Sequence, residues 1–162
     1  MSRLIEMWTD GSGNNPGDVG WAAILTRAKG SSRVVGGYAK DSTVNRAETM
    51  AVIDGLEAIN IPCSVVIYTD SQYVVNGIKR LLRYSILQTN KDLWDRLEPQ
   101  LDKHSISVQW TRGHNVDRMN HLADAFADFA WRNQMRIDKY IDDLEPMFAR
   151  PRKSVQNIML GI

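Results

Sequence analysis

The chain has 162 residues, a formal net charge of +1 and a single cysteine, Cys63. That length fits one domain with a core of normal size. The charge balance excludes a protein whose bulk composition alone announces a polyanion partner, and the lone cysteine excludes an intrachain disulfide. No apolar run approaches the length of a membrane span, and the first strand starts almost at once, with nothing that reads as a signal or transit peptide. The expectation is a cytoplasmic protein with no membrane contact.

Arg3 to Thr9 reads as the first strand, followed by a dense turn signal from Gly11 to Gly17. Gly20 to Ala28 and Arg33 to Ala39 read as two more strands with a glycine–serine turn between them, giving an antiparallel meander. Asn45 to Ile59 has helical periodicity, with Met50, Ile53 and Leu56 on its apolar stripe, and Asn60-Ile61-Pro62 ends it. Val65-Val66-Ile67-Tyr68-Thr69 is a buried strand that stops at Asp70, and Ser71 offers the N-cap of a helix running to Arg83. Tyr84 to Asn90 is irregular. Asp92 to Leu101 is helical with Pro99 disturbing its last turn, and Ile106, Val108 and Trp110 alternate as the last strand. A loop from Arg112 to Asp117 leads to a helix from Arg118 to Arg132. Beyond it, Ile137 to Phe148 reads as one short helix, followed by a basic break at Arg150-Pro151-Arg152-Lys153 and an apolar end.

Crossovers through helices bring the fourth and fifth strands back parallel to the first. The result is an α/β fold: a mixed five-stranded sheet, with strands 1–3 antiparallel, strands 1, 4 and 5 parallel, and helices on both faces. Trp8-Thr9-Asp10 and Tyr68-Thr69-Asp70 then end side by side, with two carboxylates at one edge of the sheet. Such a pair requires a proton or a cation between its members. Taken singly, each is an ordinary turn aspartate. Glu48 fits a capping pattern with Asn45 as N-cap, and Asp124 fits the solvated face of its helix.

The combination is more specific than its parts. Asp10-Gly11-Ser12, Asn45-Arg46-x-Glu48, Thr69-Asp70-Ser71-Gln72 and Gly113-His114, with Asp124 further on, resemble ribonuclease HI in order and spacing. The resemblance covers residues 1–132 and implies a ribonuclease H domain there, with 133–162 as a C-terminal extension. It implies an endonuclease that hydrolyses the RNA strand of RNA–DNA hybrids with two Mg²⁺ ions, Mn²⁺ being able to substitute, and leaves 5′-phosphate and 3′-hydroxyl ends. The carboxylates so implied are Asp10, Glu48, Asp70 and Asp124. His114 is implied to assist proton transfer or product release, which a near-neutral pKa permits. Hard oxygen ligands suit Mg²⁺ and Mn²⁺, and two ions roughly 3.5–4 Å apart can serve an in-line displacement.

The same resemblance places Asn15, Asn45, Gln72 and Asn76 along the hybrid's minor groove, where the RNA 2′-hydroxyl discriminates the strands. It places Thr43 in a phosphate pocket, Lys79 and Arg80 in a basic handle, and Trp94 against DNA. The chain departs from the bacterial pattern in its shorter loop after Asp10, in Val44 and Leu81, and in a shorter stretch from Gln72 to Trp94. For the extension, packing back on the domain competes with added phosphate contacts from Arg150, Arg152 and Lys153, or with a protein partner on the apolar end. A monomer is expected. A resolvase or integrase relative would lack reason for Asn45, Gln72 and His114, and a non-catalytic hybrid-binding module would gain nothing from four acids.

A handle reduced to Lys79, Arg80, Arg83 and Lys91 makes fewer phosphate contacts than a full one. Hybrid affinity should therefore be lower, and its decline with salt shallower, than in a relative with a complete handle. Binding titrations across a salt series measure both; equal affinity with an equally steep slope would refute the expectation.

Overall fold

In the computed structural model, residues 3–27, 30–84, 89–112 and 117–162 are described. Strands β1 (Leu4–Gly13), β2 (Gly17–Thr26), β3 (Ser32–Ser42), β4 (Ser64–Thr69), β5 (Ser105–Trp110) and β6 (Ile137–Ile141) form one sheet in the order β5-β4-β1-β2-β3-β6. The pairs β1–β4 and β4–β5 are parallel, and β1–β2, β2–β3 and β3–β6 are antiparallel. The helices are α1 (Val44–Glu57), α2 (Gln72–Tyr84), α3 (Lys91–Lys103), α4 (Arg118–Asn133) and α5 (Pro151–Leu160), with a short 3-10 turn at Glu145–Met147. Among the described residues, no helix is long and apolar enough to cross a membrane.

Alternation along the strands divides the core. Ala23 and Leu25 of β2 point to one face, where Met7, Ile67, Ile53, Leu56, Ile78 and Trp94 join them under α1, α2 and α3. Ala22 and Ile24 point to the other, packing with Phe126, Leu122, Ile137 and Val155 under α4 and α5. Fully burying each large apolar side chain contributes about 1.5–3 kcal/mol, so both faces hold the sheet firmly.

The structure adds a sixth strand to the expected five. Ile137 and Ile141 are buried while the three residues between them are exposed, a spacing of four that imitates one helical turn. Pairing with the free edge of β3 overrides that signal, and Arg33 grips Asp138 across the pair through Nε (2.9 Å) and Nη2 (3.0 Å). The expected helix over Ile137–Phe148 is thus a strand and a 3-10 turn. The expected basic break at Arg150–Lys153 is the start of α5, where Pro151 occupies the first turn and its missing N–H costs nothing. Pro99 likewise does not end α3, which continues to Lys103.

The C-terminal elements are integral to the second core face: Ile137 and Val155 are fully buried. Ile137→Ala should cost about 2–5 kcal/mol, and truncation after Asn133, which removes β6 and α5 together, should cost more. Urea denaturation measures both, and unchanged midpoints would mean these elements are not part of the cooperative fold.

Candidate active site

The parallel pairing of β1 and β4 reaches Trp8 opposite Tyr68, whose rings stack with centroids 4.8 Å apart. Two residues beyond each ring come Asp10 and Asp70. The turn carrying Asp70 is held from several sides. The Ser71 N–H donates to Thr69 Oγ1 (3.0 Å), the Val74 N–H donates to Ser71 Oγ (3.1 Å), and Trp110 Nε1–H donates to the Asp70 carbonyl (3.2 Å). Ser71 is therefore the cap that starts α2.

Glu48 enters from the first turns of α1. The cap of that helix is Thr43, whose Oγ1 accepts from the Arg46 N–H (3.2 Å), not Asn45 as expected. Glu48 is thereby released from capping. Its Oε1 accepts the Gly11 N–H at 2.9 Å instead. A Cβ on Gly11 would lie 2.7 Å from the Glu48 nitrogen, so only glycine lets β1 and α1 approach this closely.

Carboxylate oxygens of Asp10, Glu48 and Asp70 lie within 4.8 Å of one another. Asp10 is 3% exposed and Glu48 5%. Burial raises the Asp10 carboxyl well above its ordinary range, reinforced by the charges of Glu48, Asp70 and Asp124. Burial, followed by repulsion from Asp70, pushes Glu48 up to about 8. Glu48 Oε2 is buried without a hydrogen-bond partner among the described residues. Hard oxygen donors, excess negative charge and an unsatisfied buried oxygen together fit a divalent cation. Asp124 stands at the margin of this group, on α4. Its charge reaches Asp10 and Glu48, but its own carboxylate is partly exposed and lies 3.9 Å from Arg152 of α5.

The family model for RNase H matches residues 2–132. The chain is 42% identical over 137 residues to a ribonuclease H of Oleidesulfovibrio alaskensis, covering 77% of this chain and 88% of the relative. It is 40% identical over 136 residues to a ribonuclease H of Bordetella avium, at the same two coverages. This chain belongs to the ribonuclease H family. Among solved structures, LC9-RNase H1, a type 1 RNase H with the type 2 active-site motif, superposes with a TM-score of 0.80 at 23% identity, over 96% of this chain and 84% of that one. LC11-RNase H1 in complex with an RNA/DNA hybrid superposes at 0.62 and 21% identity, over 80% and 97%. These likenesses establish the ribonuclease H fold, and the first extends into the C-terminal elements.

On this ribonuclease H scaffold the other expected residues take varied places. Asn45, Gln72, Asn76, Lys79 and Arg80 are exposed. Asn76, Lys79, Arg80 and Arg83 line one groove of about 400 Å³ along α2. Asn15 is exposed and its Oδ1 accepts the Val44 N–H (3.3 Å), while Thr43 acts as the α1 cap. Trp94 is a correction. It is 2% exposed and its ring lies against Gly77, where a Cβ would sit 2.2 Å from it, so it packs the core and offers DNA no face. His114 lies in 113–116, outside the described residues. The sequence reading missed the Asp128 network beside Asp124, although their spacing of four on one helix already places them on one face.

Asp10 and Glu48 hold protons more readily folded than unfolded. The Glu48 contribution to the stability of the metal-free protein is thus fully present below its ordinary value of 4.5 and is lost as pH rises through about 8, and the Asp10 contribution is lost in the same direction. Stability in EDTA should fall across that window, and Glu48→Gln should remove part of the slope. Urea denaturation at stepped pH measures this; a slope unaltered by the substitution would refute the electrostatic account.

Proposed function

We propose that this ribonuclease H hydrolyses the RNA strand of RNA–DNA hybrids at the carboxylate cluster, with two Mg²⁺ ions as cofactor and 5′-phosphate and 3′-hydroxyl ends as products. The observation that carries the reading is the convergence of Asp10, Glu48 and Asp70 oxygens within 4.8 Å, with Glu48 Oε2 left unsatisfied. Bound Mg²⁺ supplies an activated water and stabilises charge on the leaving oxygen.

In this reading Asp10, Glu48 and Asp70 hold the metal, and Asp124 completes the set from α4. Ligands within β1, just past the end of β4 and on two helices, each fixed by packing, give a preorganised site. His114, which precedes α4 in the chain, serves proton movement. Gln72, Asn76, Lys79 and Arg80 present hydrogen-bonding and cationic groups along one face of α2, suited to sugars and phosphates of a duplex. Asn15 and Asn45 extend that surface towards the α1 N-terminus. The hybrid in the LC11-RNase H1 structure supports the substrate class by analogy.

The test is cleavage of a strand-labelled hybrid with Mg²⁺, beside duplex DNA, duplex RNA and an EDTA control. Cutting of the hybrid's RNA strand alone, lost in EDTA, is the expected result. Asp70→Asn should lower the rate by at least about a hundredfold, as expected when several kcal/mol of metal-based stabilisation disappear. It should leave the circular dichroism spectrum intact. A fully active variant would overturn the mechanism.

A further inference from the structure

We infer that Arg152, delivered by the C-terminal helix, is a fixed counter-cation for Asp124 that stands beside the carboxylate cluster and opposes metal binding there. The inference rests on the reading of Asp124 as a metal ligand.

Charge counting at α4 leads to it. Asp128 follows Asp124 by one helical turn, and its side chain is only 10% exposed. Asp128 Oδ1 accepts from Ser12 Oγ (3.4 Å), two residues after Asp10 on β1. Its Oδ2 accepts from both Arg132 Nε (2.8 Å) and Arg152 Nη1 (2.8 Å). One buried carboxylate therefore holds two guanidinium groups, and one positive charge is surplus. Arg132 leans over the Trp131 ring, its centre 4.6 Å from the centroid. The surplus of Arg152 faces Asp124, with Nη2 at 3.9 Å from Oδ2.

At 3.9 Å this is charge–charge attraction without a hydrogen bond. Arg152 is therefore not placed by Asp124. It is placed by the bond to Asp128 and by α5, whose Val155 is fully buried against α4. A guanidinium fixed in this way keeps its charge beside Asp124 whether or not a cation is present. Two consequences of opposite sign follow. In the metal-free protein Arg152 relieves repulsion among the carboxylates. Towards a divalent cation arriving at Asp124, the same charge is repulsive. Arg152 is thus a positioning and charge-setting residue, not a catalytic one.

The opposite signs make the inference separable from a purely structural role. Mn²⁺ binding by calorimetry and thermal melting in EDTA are measured on the full chain, with Arg152→Gln, Arg152→Lys and Asp124→Asn. Arg152→Gln should bind Mn²⁺ roughly threefold tighter, the scale of a partly exposed charge pair, and should melt at a lower temperature in EDTA. Arg152→Lys, which keeps the charge, should stay near the unsubstituted protein in Mn²⁺ affinity. Unchanged or weaker Mn²⁺ binding by Arg152→Gln would overturn the inference. Mn²⁺ binding by Asp124→Asn that matched the unsubstituted protein would instead remove the ligand role of Asp124. Impaired binding by Asp124→Asn, with Arg152→Gln unaltered, would leave that role standing and overturn the counter-cation alone.

Discussion

The parallel register of β1 against β4 is the constraint on which the rest depends. Once Trp8 lies opposite Tyr68, Asp10 and Asp70 are brought together, because each follows its ring by two residues and the two strands run in the same direction. Like charges at that distance repel, and burial of Asp10 makes the ionised form costlier still. No local change relieves this without a register shift, and a shift by one residue would turn every core side chain of the strand to the other face. The hydrophobic pattern of Ile5 and Met7 against Val65 and Ile67 therefore enforces an electrostatically unfavourable site.

Several features moderate that conflict. The Gly11 N–H gives Glu48 one partner, the raised proton affinity of Asp10 and Glu48 removes negative charge when no cation is near, and Arg152 sets positive charge at the rim. Each is weaker than a divalent ion bound by several carboxylates. The metal-free site is consequently tolerable, and its remaining negative charge still favours a cation. The two-sided core supplies the stability that such a site subtracts.

Much of this could be read from the sequence, and the failures have identifiable causes. The aspartate pair was legible because a β-branched run ending in aromatic–Thr–Asp is a local signal, but β1 does not stop at Thr9: it runs through Asp10 to Gly13, where pairing with β2 overrides the glycine-rich turn signal. The meander and the crossovers followed from link lengths. The cap of α1 was misplaced by two residues because Thr43 and Asn45 both suit that role, and only Thr43 has extended dihedrals. That error mattered, since it tied Glu48 to capping. Strand β6 was hidden because Ile137 and Ile141 carry helical spacing, and its pairing partner lies about a hundred residues earlier on β3. Trp94 misled because the resemblance matches it to an aromatic position against DNA, whereas here its ring is received by a cavity that exists only because position 77 is glycine.

The near-neutral composition also conceals how charge is distributed. Arg33–Asp138, Arg46–Asp92, Lys91–Asp95, Arg96–Glu57 and Arg118–Glu145 are ion pairs that cancel locally. Among the described residues, no ion pair includes Lys79, Arg80 or Arg83 on α2, or Arg150 or Lys153 at the start of α5. Two groups of cations outside those pairs lie near the acidic cluster: α2 follows β4 and its Asp70, and α5 packs on α4 and its Asp124. A polyanionic duplex is attracted to cations and repelled by carboxylates. With cationic groups on the elements that follow or pack on those carrying the acids, attraction for phosphates lies along the flanks of the cluster and repulsion at the cluster itself. A modest net charge thus conceals a separation of charge by position, with carboxylates clustered at β1, α1, β4 and α4 and cations on the adjoining α2 and α5, a placement that the fold makes and the composition does not reveal.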